Sequence, residues 1–306
     1  MDKKTGTDPG IEIIGAESMG VRSLCCVVNT PSRRIVIDPG VALGYVRSGL
    51  LPHPFQVAIG RRVRRKILQA LKGATDVVLS HYHGDHVPLA EANPYQLSIR
   101  DLPDTFRHLS CWCKSGDDLS TNMRKRFDAL ADLMGSKMQI AEGRSEGDIA
   151  FSPSVPHGAA GGNMGTVMMT RIEVAHRVFV HASDIQLLDP PTVDRVIDWR
   201  PDVLLAAGPP LYLSRLSDAQ RHTAWENALR LAQAIDVLIL DHHLMRSENG
   251  AVWLDALGAA TGKKIYCAAD YMGLPRQLLE AQRADLYQKM PVSPGWHDIY
   301  AQTMPR

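Results

Sequence analysis

Three histidines and one aspartate are packed into six residues directly after a short apolar strand pattern. The strand pattern covers residues 76–80, and the motif reads His81-Tyr82-His83-Gly84-Asp85-His86. In an extended chain His81 and His83 point to the same side, because side chains two residues apart share a face. The glycine lets the backbone turn, so the last two residues can aim at a second point nearby. Four ligands divided between two adjacent points favour a centre with two metal ions over a structural zinc site, which usually contains cysteine.

The alternative interpretation of this motif is a histidine-rich surface loop without a function. The position of the motif opposes that interpretation, because the motif begins where a buried strand ends and continues into a turn. Binding and catalytic residues are commonly carried by such loops on a rigid scaffold. We therefore expect the motif to lie at the centre of a site.

The patterns around the motif change from a meander of strands to alternating strands and helices. Short β-branched runs predict strands at 11–14, 24–29, 35–38, 76–80, 167–173, 178–181, 202–206 and 236–240, with another starting at Ile149. Helical spacing of apolar residues predicts helices at 55–71, 119–134, 217–234 and 247–260, and a last helix from Pro275. This order is typical of packed sheets covered by helices, so we expect an α/β protein in which residues 1–306 form a single domain. Segment 87–137 is expected to be an insertion near the mouth of the site.

Composition and charge limit the partners of the chain. Lys and Arg number 34 against 33 Asp and Glu, a balance that opposes binding to nucleic acid through bulk electrostatics. No apolar run approaches the ~20 residues of a membrane span, and residues 1–6 lead into no apolar signal core. Five cysteines favour reduced thiols in a cytoplasm over a disulfide framework. We therefore expect a cytoplasmic protein with a small-molecule substrate and no membrane or nucleic-acid partner, and leave a homo-oligomer open.

The pattern His81-x-His83-x-Asp85-His86 after a strand resembles the signature of the metallo-β-lactamase superfamily. The resemblance implies a four-layer αββα sandwich with a metal site at one edge, between the two sheets. Shorter stretches at 20–24, 37–44, 52–54 and 208–213 resemble a mostly archaeal branch of this superfamily.

The resemblance also implies further ligands at later strand ends, in a fixed order. His157, in a Pro/Gly turn, matches the next histidine, and Asp184 matches a carboxylate that bridges both metals. Two histidines compete for the last position. We prefer His242, the first after the strand-ending aspartate, and keep His243 as the fallback. Asp38 matches an early strand-end aspartate that orients a ligand.

The centre implied by the resemblance holds two divalent metal ions, with Asp184 bridging them. The expected ligands of one ion are His81, His83 and His157. The expected ligands of the other ion are Asp85, His86 and His242. Nitrogen and carboxylate ligands without sulfur suit zinc best, with manganese or iron as alternatives.

The activity implied by the resemblance is that of a binuclear metallohydrolase, which uses a metal-bridging hydroxide on an ester, phosphodiester, thioester or amide. Asp85 is the candidate catalytic residue, placed to orient the nucleophile and move its proton. The alternative is a non-haem iron oxidoreductase of the same fold that acts on a small thiol or oxygen substrate. His83 opposes it, because oxygen-reducing members carry a glutamate there. A metal-binding protein without activity is a third hypothesis, which the filled ligand positions oppose.

Four more side chains are candidates for orienting a ligand or contacting substrate. They are His53, His181, His243 and Tyr212. His53 lies between two prolines, and His181 lies three residues before the expected bridging aspartate. For both, the alternative is an ordinary histidine hydrogen-bonded to the backbone.

Overall fold

Two six-stranded β-sheets form the middle of the molecule, which a computed structural model describes for residues 10–303. The first sheet keeps its strands in chain order. Its strands are β1 (Ile11–Ala16), β2 (Leu24–Asn29), β3 (Arg34–Ile37), β4 (Asp76–Leu79), β5 (Ser110–Cys113) and β6 (Met138–Ile140). The first three strands pair antiparallel, as the predicted meander requires, and β3 to β6 run parallel. Residues 1–6, on which the prediction about a signal peptide depends, lie outside the described residues.

The later half of the chain forms the second sheet and a separate two-stranded pair. The strands are β7 (Ser145–Glu146), β8 (Ile149–Phe151), β9 (Val155–Pro156), β10 (Thr166–Val167), β11 (Thr170–Val174), β12 (Arg177–His181), β13 (Val203–Ala206) and β14 (Val237–Leu240). β9 and β10 form the separate pair, and the second sheet has the order β14-β13-β12-β11-β8-β7. In that sheet β12, β13 and β14 are parallel, so their carboxyl ends meet at one edge.

Helices follow and separate the strands along residues 10–303. They are α1 (Pro54–Lys72), α2 (Thr121–Met134), α3 (Pro190–Asp198), α4 (Asp218–Ala234), α5 (Glu248–Thr261), α6 (Ala268–Tyr271), α7 (Arg283–Lys289) and α8 (Trp296–Gln302). Short 3₁₀ helices occur at Ile99–Asp101, Asp104–His108, Gly135–Lys137 and Leu244–Arg246. Across residues 10–303, none of the helices combines the length and the apolar character that crossing a bilayer demands.

Three buried apolar clusters separate four layers. Between the sheets, Ile13 and Ile37 of the first pack with Phe179 and Leu205 of the second. The outer face of the first sheet packs against α1 and α2 through residues such as Val36, Val77, Ile67 and Leu130. The outer face of the second sheet packs against α3, α4 and α5 through residues such as Leu204, Val193, Leu231 and Leu254. Strands buried on both faces are apolar throughout, which explains the continuous apolar runs of the sequence.

Several predicted elements differ from the structure. The strands β5 and β6 and the helix α3 were not expected, and the strand predicted at 167–173 is divided into β10 and β11. The helix predicted from Pro275 is wrong over its first part, because helix α7 begins only at Arg283. Within the intervening segment, Gln277 forms a parallel bridge with Met19 and its amide donates to the carbonyl of Ser18 at 2.7 Å, whereas residues 279–282 form turns. This tertiary contact outweighs the local helical spacing.

Segment 87–137, predicted to be an insertion near the mouth of the site, contributes one strand to the first sheet. Its strand β5 pairs with both β4 and β6. The same segment also reaches the motif loop, since Arg126 of α2 donates to the carbonyl of Tyr82 at 2.9 Å. The organisation of residues 1–306 as one domain stays a prediction.

Candidate metal centre

The predicted ligands meet where the carboxyl ends of the parallel strands of both sheets lie together. β4 leads into the motif loop, β12 leads to Asp184, and β14 leads to His242 and His243. The two sheets are joined at this edge by a 2.7 Å hydrogen bond between the hydroxyls of Ser80 and Ser183. Parallel strands present their carboxyl ends on one side, which is where open α/β sheets place their binding sites.

The first group of candidate ligands consists of His81, His83, His157 and Asp184, whose donor atoms all lie within 4.8 Å of one another. Nε2 of His81 is 2.9 Å from Nδ1 of His83. Oδ2 of Asp184 is 3.1 Å from Nε2 of His157 and 3.7 Å from Nε2 of His81. Four donors therefore lie close enough together to surround one point.

The second group consists of Asp85, His86 and His242, whose donor atoms also lie within 4.8 Å of one another. Nε2 of His242 is 3.4 Å from Nε2 of His86 and 3.4 Å from Oδ2 of Asp85. Oδ1 of Asp184 is 3.2 Å from Nε2 of His86. Oδ1 of Asp184 thus faces the second group, whereas Oδ2 faces the first group and also lies 3.6 Å from Nε2 of His242.

The carboxylate of Asp184 tests whether this donor set fits metal ions. It is 1% exposed, and its Oδ1 forms no hydrogen bond within the described part of the chain. A buried carboxylate oxygen without a partner is costly unless a cation satisfies it. Although burial opposes ionisation, the facing His86 holds the pKa of Asp184 well below its usual range. Imidazole nitrogens and carboxylate oxygens are ligands that zinc and related transition metals accept. The residues fit divalent metal ions.

Most imidazoles of the centre are uncharged at neutral pH, so one ring nitrogen of each keeps its lone pair. Burial lowers the pKa of His83 to about 4 and lowers the pKa of His81 and His243 further from its usual value. His86 differs, because Asp184 outweighs burial and raises its pKa. Neutral imidazole is the form that binds a metal.

Asp38, expected to orient a ligand, lies against the second group. Its Oδ2 accepts from Nδ1 of His86 at 2.9 Å, which leaves Nε2 of that ring to face the centre. The same carboxylate accepts from the amide of Ser80 at 2.8 Å and from its hydroxyl at 2.6 Å. Asp38 and Ser80 therefore fix the backbone at the start of the motif.

The two adjacent histidines after β14 share one group with Asp184, but their other partners differ. His242 belongs to the second group with Asp85. Nε2 of His243 contacts Oδ2 of Asp184 at 3.1 Å instead, and its Nδ1 is 3.4 Å from the hydroxyl of Tyr212. Both His243 and Tyr212 therefore line the centre on the side of the loop 208–213.

His53 and His181 lie apart from the two groups. His53 caps α1, where its Nδ1 accepts from the amide of Phe55 at 3.1 Å and its Nε2 contacts the carbonyl of Met290 at 2.9 Å. His181 is fully buried, and its Nε2 donates to the carbonyl of Leu24 at 2.9 Å, which ties β12 to β2 across the sheets. Both rings are therefore hydrogen-bonded to backbone groups, which is the alternative that the sequence analysis gives for these residues.

Arg246 and Gln186 are the residues of the centre that the sequence analysis missed. Nη2 of Arg246 lies 2.7 Å from Nε2 of His242, and the side-chain amide nitrogen of Gln186 lies 3.2 Å from Nδ1 of His157. The signal for Arg246 is its spacing, since it follows His242 by four residues in an apolar stretch, which places it on the same face of a helical turn.

Comparisons with solved structures show the same fold. The isothiocyanate hydrolase from Delia radicum gut bacteria aligns with 81% of this chain and 94% of its own, with a TM-score of 0.52 and 15% identity. Tm1679, described as a metal-dependent hydrolase of the β-lactamase superfamily, aligns with 80% of this chain and 91% of its own, with a TM-score of 0.48 and 13% identity. The likeness to the isothiocyanate hydrolase supports the predicted α/β fold, and at 15% identity it concerns the fold alone.

Comparisons with curated sequences identify much nearer relatives, although no family model matches. A UPF0282 protein of Methanosarcina mazei is 48% identical over 290 residues, which cover 95% of each chain. A UPF0282 protein of Thermococcus onnurineus is 32% identical over 285 residues, which cover 90% of this chain and 94% of that protein. A protein with such relatives along nearly its whole length shares their family, and we conclude that this chain belongs to the UPF0282 proteins.

Proposed function

We propose that the protein is a hydrolase with a centre of two divalent metal ions. The observation that carries the proposal is the position of Asp184 between the two groups, with Oδ1 3.2 Å from Nε2 of His86 and Oδ2 3.1 Å from Nε2 of His157. His81, His83 and His157 would hold one ion. Asp85, His86 and His242 would hold the other, with Asp184 shared.

Zinc is the metal we favour, with manganese or iron as alternatives, since the donors are nitrogen and oxygen. When bound, such ions polarise a substrate oxygen and lower the pKa of water toward ~7. The chain itself prepares the site for this chemistry. Asp38 orients His86, and the amide of Gln186 faces His157, so the rings are held before a ligand arrives.

Asp85 is the residue we assign to proton transfer. Its side chain is 17% exposed, whereas the other acidic group of the centre, Asp184, is 1% exposed. Although burial opposes ionisation, the contact with His242 holds the pKa of Asp85 well below its usual range. An ionised carboxylate with access to solvent can orient an attacking water and accept its proton.

A cavity beside the first group is the proposed place for the substrate. It has a volume of about 170 Å³ and reaches Gly158 and Gln186, which flank His157. Its apolar lining comes from Met164, Leu188, Leu213 and Leu216. We expect a small molecule whose apolar part enters this cavity while an ester, thioester, amide or phosphodiester bond faces the centre.

The test is elemental analysis joined to a substrate panel. Protein purified without added metal is analysed for zinc, manganese and iron, and is then assayed against chromogenic esters, thioesters, amides and phosphodiesters, with an isothiocyanate included. We expect close to two ions per chain and turnover in one substrate class, both reduced in His83→Ala. Iron with an optical band and no hydrolysis would support the oxidoreductase instead, and full metal loading without turnover would contradict an enzyme.

A further inference from the structure

The side chain of Arg246 is inserted into the second group of candidate ligands. It is 7% exposed, and its Nη2 donates to Nε2 of His242 at 2.7 Å. The same nitrogen is 3.6 Å from Oδ2 of Asp85. Arg246 therefore contacts two of the three residues proposed to hold the second ion.

The contact with His242 involves the atom that a metal would need. A guanidinium only donates hydrogen bonds, so Nε2 of His242 accepts with its lone pair. That lone pair cannot serve the guanidinium and a metal ion at the same time. In addition, a permanent positive charge opposes a divalent cation at this distance, and more strongly at low dielectric.

Arg246 is held in this position from its other side. Its Nε donates to Oε2 of Glu17 at 3.3 Å, and its Nη1 donates to the hydroxyl of Tyr212 at 3.2 Å. The guanidinium also lies 5.6 Å from the centroid of the Tyr212 ring. Glu17 is 1% exposed, so this arrangement is a built interior contact.

The first group of ligands is held differently. Its ring nitrogens contact the hydroxyl of Ser80, the amide of Gln186 and one another. These partners are uncharged, and they leave Nε2 of His157 facing Asp184. The two halves of the centre thus differ in electrostatics, because a guanidinium contacts the second group.

We propose that Arg246 makes the second metal subsite the weaker of the two, so that the centre loads in order. The first ion binds at His81, His83 and His157. The second ion binds at His242 only when the guanidinium gives up its hydrogen bond there. Without the second ion, Arg246 supplies the positive charge that Asp85 needs. This proposal rests on the proposed function, since it assumes that the centre binds metal.

The experiment is a zinc titration of metal-stripped protein by calorimetry, checked by competition with a chromophoric chelator. We expect two steps in the wild type, with the second at least about tenfold weaker than the first. In Arg246→Gln the second step should tighten by about tenfold, while the first step stays unchanged. Arg22→Gln is the matched control, because it removes a guanidinium that bonds Glu280 and none of the ligands, and it should leave both steps unchanged.

Two further variants show which subsite each binding step belongs to and cover the case in which Arg246→Gln folds poorly. His83→Ala should remove the tight step and leave the weak one. Glu17→Gln with Arg246→Gln removes the buried contact between these two side chains as a unit, and it should reproduce the tighter second step if the single variant folds poorly. Equal affinities in the wild type, or a second step that Arg246→Gln and the double variant leave unchanged, would overturn the role of Arg246. Absence of any zinc binding would overturn the proposed function itself.

Discussion

Oδ2 of Asp38, at the end of β3, lies 2.9 Å from Nδ1 of His86, in the loop after β4. When the ring is neutral, a proton on Nδ1 leaves its lone pair on Nε2, which faces His242 and Asp184. An aspartate that is 48 residues away in the chain therefore decides which nitrogen of His86 is free to bind a metal.

Replacing that aspartate by asparagine should weaken metal binding. In Asp38→Asn an amide N–H can face Nδ1 of His86, which favours the tautomer with a proton on Nε2. Loss of such an orienting partner typically costs about 10- to 100-fold in metal affinity. Chelator competition measures the change. Asp76→Asn, at the opposite end of β4, should leave the affinity unchanged, and an equal loss in both variants would point to general destabilisation instead.

Replacing His83 by alanine should remove metal with little effect on folding. The ring is only partly buried and contacts the other imidazoles of the centre, so its loss leaves a small gap. We expect metal content to fall by about one ion, while the free energy of unfolding of the metal-free protein changes by less than about 1 kcal/mol. His222→Ala, on the exposed face of α4, is the control for both measurements. Full metal content in His83→Ala would remove this residue from the ligand set.

Gly40 should tolerate no side chain. A Cβ at this position would lie 2.3 Å from the carbonyl carbon of His86 and 2.3 Å from the amide nitrogen of Val87. Both atoms are backbone, so Gly40→Ala must displace the motif loop, and we expect lower stability together with weaker metal binding. Gly84→Ala is the comparison, since its nearest neighbour would be the flexible end of Leu89 at 3.1 Å. Thermal unfolding and metal content, measured on both variants, should separate them, and similar behaviour would refute the argument.

Glu17 should make the stability of the metal-free protein fall as the pH rises. Burial, helped by the nearby Glu280, raises the pKa of Glu17 from 4.5 to about 8. Between these values the unfolded chain releases a proton that the folded protein keeps, so the free energy of unfolding decreases with pH across this window. In Glu17→Gln this contribution is absent, and the stability of the variant relative to the wild type should rise by at least about 1 kcal/mol from pH 5 to pH 8. Urea denaturation at the two pH values measures it, and parallel changes in both proteins would show that Glu17 does not titrate there.

A bulky residue in the proposed substrate cavity should affect substrate binding without affecting metal. Leu213 lines that cavity, and tryptophan would fill a large part of its volume of about 170 Å³. For any substrate found in the panel we expect Leu213→Trp to raise KM severalfold while metal content stays that of the wild type. Unchanged KM would place the substrate elsewhere around the centre.

Much of the site could be predicted from local sequence. The strand β4 and the motif after it can be recognised from the sequence alone. The alternation of side chains in an extended segment and the turn at a glycine depend only on neighbouring residues. The positions of His157 and Asp184 followed from the resemblance, and the structure brings both to the first group. The short strands β5 and β6 were missed, since few residues carry their signal and pairing with neighbouring strands stabilises them.

The sequence by itself determined which residue types stand at the strand ends, and hence the donor set that Asp184 and its neighbours offer. Only the tertiary structure decided that His242 rather than His243 groups with Asp85, that Arg246 turns back onto that group, and that Gln277 pairs with Met19 instead of joining a helix. The physical reason is the separation along the chain of the residues that interact. Strand ends and turns are encoded by neighbouring residues, whereas these three outcomes depend on contacts between groups separated by a turn of backbone or by most of the chain.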